Sequence, residues 1–152
     1  KGKTGDNFEI VGGYATLHRR WKSGDVVQLT LDMPVQLVKA NAKVEADKNR
    51  VALMRGPVVY CFEGADNGAA VQNLVIPAGN EFAPEYRSQV LGGVTVLAGT
   101  ATALFPDGKS SVAAMPLKVT AIPYYANANR GTCAMQVWIP ESQAAATAQR
   151  QD

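Results

Sequence analysis

The strongest regularity in the chain is a period of two. Val27, Leu29, Leu31, Met33, Val35 and Leu37 fall at alternate positions, with Gln28, Thr30, Asp32 and Gln36 between them. An extended chain points successive side chains to opposite faces. The pattern therefore predicts a half-buried antiparallel strand with one wet face. Pro34 brings no amide donor and places that strand at an edge or ends it. Upstream, residues 14–21 also alternate, with Ala15, Leu17, Arg19 and Trp21 on one face. Ser23, Gly24 and Asp25 signal a turn, so residues 21–35 read as a hairpin. Residues 8–11 predict a short strand that bends at Gly12 and Gly13.

The stretch that organises the rest is R-V-A-L-M-R-G-P-V-V-Y-C-F-E, residues 50–63. Residues 51–54 predict one strand. Residues 58–62 predict either the next strand or its continuation beyond a bulge at Gly56-Pro57. Neither half can hide its side chains alone, so the remaining chain must supply an opposite layer. Asp47, Lys48 and Asn49 form the turn that leads in. Beyond it, Asn67-Gly68 is a turn signal, and residues 71–76 and 90–96 predict strands, the second kinked at Gly92-Gly93. Residues 77–86 read as an irregular connection between them. Residues 100–105 alternate, and Pro106, Asp107 and Gly108 turn the chain. Residues 113–122 alternate again, with Met115, Leu117, Val119 and Ala121 facing one way. A loop over 127–132 and a strand over 134–139 complete the pattern. The Ala- and Gln-rich residues 142–152 form a frayed helix or none. About ten short strands with Gly and Pro turns predict an all-β fold, an antiparallel, jelly-roll-like β-sandwich.

Composition narrows the function classes. Hydrophobic residues make up 47% and charged residues 18%, which argues for a folded globular chain. The net charge is +2 and the basic residues are scattered, so no stripe is available for a phosphate backbone and nucleic acid is not an expected partner. No apolar run approaches the roughly 20 residues of a membrane-spanning helix. The chain opens on Lys1 with a polar, Gly-rich start through Asn7, expected to be loose, and reads as a piece of a longer protein.

Chemistry is sparse. His18 is the one histidine, and Cys61 and Cys133 lie far apart, which argues against a preassembled zinc site. No G-x-S-x-G occurs, and a Ser-His-Asp triad would have His18 alone as its base. Cys61 lies in an apolar run and is expected to be a buried thiol, although one disulfide with Cys133 stays open. Glycoside hydrolysis needs only two acids at the right separation. Most acids here sit in turns or on wet faces. Glu63 closes an apolar strand and is expected to meet Arg55 or Arg130 in a partly buried ion pair. Trp21 and Trp138 lie in strand patterns and predict core or interlayer anchors. Tyr124, Tyr125, Asn127, Asn129 and Arg130 cluster at a strand end. Aromatic faces beside amide and guanidinium donors suit a packed loop, an interdomain interface or a sugar subsite.

Three pieces in order carry a resemblance: G-Y-A-T-L-H-R-R-W-K-S-G-D at 13–25, the stretch at 50–63, and I-P-Y-Y-A-N-A-N-R-G-T-C-A-M-Q-V-W-I at 122–139. Together they resemble the C-terminal β-rich region of the β-L-arabinofuranosidase-like glycoside hydrolases, glycoside hydrolase family 127. The resemblance implies that catalysis belongs to an N-terminal (α/α)6 barrel outside this chain, with a cysteine nucleophile in a zinc site and glutamates. None of those residues maps onto Cys61 or Cys133, so no cofactor is expected here. Asn127 stands where the family often has an aromatic residue. The resemblance also implies that residues 1–39 are the tail of a preceding sandwich module and 40–141 a second module, with 142–152 a flexible tail. The expected partner is the barrel, with self-association through unpaired sandwich edges as a further expectation. The function implied is a noncatalytic accessory region supporting the barrel. The alternative is an autonomous carbohydrate-binding module using Tyr124, Tyr125 and Arg130.

Overall fold

The computed structural model describes residues 8–106 and 112–148. The chain divides after Leu31 into two compact units. In the first, β1 (Phe8–Val11) and β2 (Tyr14–Leu17) form an antiparallel hairpin, with Phe8 opposite Leu17 and Val11 opposite Tyr14. Gly12 and Gly13 take φ of 58° and 86°, the two positive values that a two-residue hairpin turn demands. The turn expected at Ser23 to Asp25 is present: the Asp25 amide donates to the Lys22 carbonyl at 3.1 Å, and the Lys22 amide donates to Asp25 Oδ2 at 2.9 Å.

The strand predicted from the period of two is mostly not formed. Residues 18–34 carry no strand, and regular pairing begins only at β3 (Val35–Lys39). The hairpin expected over 21–35 is likewise absent. Val27, Leu29 and Leu31 are 64%, 76% and 68% exposed. Alternation marks a face that gains by burial, but a strand is fixed only where a neighbour supplies both ladder bonds and cover. Trp21 is half exposed rather than a core anchor, with the Arg19 guanidinium 5.1 Å from its ring centroid. Val35–Lys39 pairs along β4 (Arg50–Arg55), from Val35 opposite Arg55 to Lys39 opposite Val51, so it belongs to the second unit.

The second unit is the antiparallel β-sandwich that the turn spacing predicted. β4 and β5 (Val58–Glu63) form a hairpin paired only next to its Gly56-Pro57 turn, at Met54 with Val59 and Arg55 with Val58. Beyond those pairs the two strands part and enter different layers. The rest of β5 pairs with β9 (Val112–Pro123), which pairs in turn with β8 (Val94–Pro106). The outer edge of β8 carries β6 (Leu74–Val75) and β7 (Phe82–Arg87). The chain end fills the gap where the hairpin opens: β10 (Met135–Gln136) takes a place beside β5, and β11 (Ile139–Pro140) a place beside β4.

Some elements differ from their expectation. Residues 94–96 and 100–105 are not in two strands but in one, β8, which begins after the Gly92-Gly93 turn. Asn67-Gly68 does not make a hairpin turn. It joins the single-turn helix α1 (Gly64–Asn67) to a 3-10 segment, Gly68–Asn73, which reduces the strand expected over 71–76 to β6. The connection expected to be irregular contains β7, an exposed edge strand that accommodates Pro84 because it pairs on one side only. The turn expected at Pro106, Asp107 and Gly108 lies outside the described residues beyond Pro106, as do the start through Asn7 and residues 149–152. Before them, α2 (Gln143–Ala148) gives the tail a short helix. No helix among the described residues is long and apolar enough to cross a membrane.

Side-chain parity explains two cores. Tyr60 and Phe62 face inward with Leu97, Val119 and Ala121, meeting Val51, Leu53 and Ile139 of the other layer. Phe62 and Phe82 meet edge to face, with centroids 6.1 Å apart. The other face of the same sheet presents Cys61, Val96 and Ile122 to a second cluster, covered by Ala126, Met135 and Val137. The excursion between β9 and β10 is therefore a lid on the outer face. Trp138, between β10 and β11, is partly buried, and its carbonyl accepts from Arg50 Nη1 at 2.6 Å.

Candidate functional site

Strand parity puts Glu63 on the same outer face as Cys61, beneath the lid, with its side chain 1% exposed. A carboxylate buried this far must be paired and hydrogen-bonded. Of the two arginines that could have met it, Arg130 does, with Nη2 2.7 Å from Glu63 Oε2. The second oxygen, Oε1, accepts from the Ala128 amide at 2.7 Å. Ala128 is held at a φ of 64°, which turns that amide inward. Arg130 also grips Asp66 at the start of α1: Nη1 donates to Oδ1 at 2.8 Å, and Nη2 pairs with Oδ2. The hydrogen bonds to Asp66 first, then those to Glu63, hold the guanidinium pKa well above its ordinary value.

Asn67 extends the network in a way that residue types alone did not reveal. Its Nδ2 donates to the Glu63 carbonyl at 2.8 Å and the Thr120 carbonyl at 2.9 Å, and its Oδ1 accepts from the Thr120 amide at 2.9 Å. The last β5–β9 pair is Phe62 with Ala121. The Asn67 carboxamide thus imitates the next peptide of the ladder and closes the edge of β9. The Gly64 amide donates to the Ala134 carbonyl at 2.8 Å and fixes the far end of the lid.

The five residues singled out by sequence separate into two groups. Tyr124 and Tyr125 lie on the 3-10 turn Tyr124–Ala126 and are 49% and 72% exposed. The other three serve the loop. The Asn127 amide donates to the Tyr124 carbonyl at 3.0 Å, and Asn129 Nδ2 donates to the Ala126 carbonyl at 3.1 Å. Arg130 is held by two carboxylates. Cys61 is a fully buried free thiol as expected, and Cys133 is free and exposed. Among the described residues no group of three or more His, Cys, Asp or Glu is placed to hold a metal ion.

The family model described as "Glycoside hydrolase family 127 C-terminal domain" matches residues 35–140. The chain belongs to that family. A curated relative, the non-reducing end β-L-arabinofuranosidase of Bifidobacterium longum subsp. longum, is 34% identical over 130 residues, which is 76% of this chain and 20% of the relative. Among solved structures, a GH127 β-L-arabinofuranosidase from Geobacillus stearothermophilus T6 is 36% identical with a TM-score of 0.68, over 72% of this chain and 18% of the other. A second GH127 β-arabinofuranosidase structure is 40% identical with a TM-score of 0.78, over 87% and 20%. This GH127 C-terminal domain therefore spans about one fifth of the length of the proteins it matches.

Proposed function

We propose that this GH127 domain is a noncatalytic accessory β-sandwich that supports the catalytic barrel of a longer glycoside hydrolase acting on β-L-arabinofuranosides. The observation that carries the reading is the use made of the buried acid. Glycoside hydrolysis by two carboxylates needs them to face a bond and a water across a cleft. Glu63 and Asp66 instead converge on one guanidinium beneath a loop, and one Glu63 oxygen is taken by a backbone amide. Their work is to fasten the lid. The test is release of L-arabinose from an aryl β-L-arabinofuranoside by this chain alone. No release above the blank is expected, and turnover that persists through purification overturns the reading.

A second reading rests on Tyr124 and Tyr125, whose exposed rings suit sugar stacking. Arg130 is committed elsewhere, so a binding module would depend on the two rings. Calorimetry against arabinose-containing oligosaccharides decides it: saturable heat that disappears in Tyr125→Ala establishes a carbohydrate-binding role.

A further inference from the structure

Along β4 the inward-facing positions run Val51, Leu53 and Arg55. The first two belong to the core between the layers. The third carries a guanidinium to the mouth of that slot, beside the Gly56-Pro57 turn, with Val35 of β3 opposite it. Arg55 Nε is buried and has no hydrogen-bond partner. Among the described residues no carboxylate lies within ion-pair distance of Arg55. Arg130 and Arg50 also bury an unpartnered Nε, but their terminal nitrogens reach two carboxylates and the Trp138 carbonyl respectively.

Arg55 has Val35 and Val58 as its ladder neighbours and donates to the Tyr60 hydroxyl, a neutral acceptor. Tyr60 pairs with Pro123 across the ladder, which brings Tyr124 and Tyr125 to the same end of the sheet. The Tyr60 hydroxyl donates to the Thr95 carbonyl at 2.9 Å. Burial raises the pKa of that hydroxyl, and the Arg55 charge and a hydrogen bond from Arg55 partly offset the rise. This end of the sandwich thus combines a half-buried cation that has no acid with two exposed tyrosine rings. A cation withdrawn from water is costly until acceptors reach it.

We infer that the Arg55–Tyr124–Tyr125 end of the sandwich is the face on which the catalytic portion of the longer protein docks, and that it receives an Asp or Glu carboxylate of that portion. The inference rests on the accessory reading above. A guanidinium fork matches a carboxylate through two parallel hydrogen bonds, which neutral sugar hydroxyls cannot replace in charge. Arginine and tyrosine are also the residues that concentrate binding energy at protein interfaces. Because the chain covers only 20% of its curated relative, most of such a protein lies outside it and is available as the partner.

The test compares Arg55→Met, which keeps the stem and removes the charge, in the full-length enzyme and in this 152-residue chain, by scanning calorimetry. In the isolated chain the variant is expected to melt at the wild-type temperature or above. In the full-length enzyme it is expected to melt at least ~3 °C lower, with the sandwich transition separating from that of the barrel. Tyr125→Ala is expected to act in the same direction. An equal shift in both contexts, or none in the full-length enzyme while its single transition persists, overturns the docking face but leaves the accessory reading standing. Independent melting of the sandwich in the wild-type full-length enzyme overturns the accessory reading itself. Saturable stabilisation of the isolated chain by galacturonate, lost in Arg55→Met, replaces the protein carboxylate with an acidic sugar and overturns the inference.

Discussion

Arg130 Nη2 lies 2.7 Å from Oε2 of the buried Glu63, and this one contact joins β5 to a residue 67 positions further along the chain. It closes the lid over the outer face of the sheet. Removing one member of such a pair leaves the other charge under the loop without its partner, which costs about 3 kcal/mol when burial is deep. Arg130→Met is expected to lose about that much by urea denaturation, and Glu63→Gln less, because Arg130 keeps its pair with Asp66. Arg87→Met, which breaks the exposed pair with Glu85, is expected to lose less than about 1 kcal/mol. Equal losses at the two arginines would remove the latch from the account.

Asn67 gives a more local prediction. Its carboxamide satisfies both backbone groups of Thr120 at the point where β5 leaves β9. Asn67→Ala removes three hydrogen bonds and exposes the ladder edge, at a cost of about 2 kcal/mol. The Thr120 amide is expected to lose protection in native-state hydrogen exchange, while amides in the middle of the β8–β9 hairpin keep theirs. Asn67→Asp keeps the acceptor for the Thr120 amide but faces two carbonyls with an acceptor, so it is expected to be no better than Ala.

The contrast between Glu63 and Asn67 shows what could be read in advance. Glu63 interrupts an apolar run, and an acid in that position announces a buried partner. The choice between Arg55 and Arg130 was decided by parity and by a lid that folds back over the sheet, which local sequence does not record. Asn67 sits beside a glycine and reads as turn chemistry. Its role depends on Thr120, which is remote in sequence. The strands at 51–54 and 58–62 and the end of the alternation at 119–122 were legible because both cover and pairing exist for them, while 113–116 is held by pairing with β8 and Met115 stays exposed. The alternation at 27–33 was equally clear, yet no strand forms there, because periodicity records a preference for burial and not the presence of a covering layer.

Gly99 makes the same point about backbone approach. A Cβ there would lie 2.5 Å from Phe82 Cδ1 and 2.8 Å from the Glu81 carbonyl oxygen. The first contact could move with the ring, but the second is main chain immediately before β7, whose first residue Phe82 pairs with Gly99. Gly99→Ala is therefore expected to cost about 2 kcal/mol through overpacking, although alanine is the better strand residue on entropy. A thermal melt unchanged from wild type would show that β7 can shift outward without loss.

The two free thiols are expected to behave as opposites. Burial, and then the negative charge of Glu63, push the Cys61 pKa from 9.0 up to about 12, while Cys133 is exposed. The thiolate is the reactive form, so a disulfide reagent at pH 8 should modify one thiol per native chain and two in denaturant. Cys133→Ser should leave the native chain unreactive. The same shift links to stability. Above pH 9 the unfolded thiol loses its proton while the folded one keeps it, so the unfolded state binds fewer protons and stability falls as pH rises. The contribution of Cys61 is complete below about pH 9 and is lost progressively towards pH 12. Tyr60, whose pKa burial also raises, adds to the fall at the upper end of that window. Cys61→Ala should start from a lower stability at pH 7 because of the small cavity, yet decline less steeply between pH 9 and 11. Parallel declines in the two proteins would mean that the Cys61 thiol does not stay protonated in the folded chain.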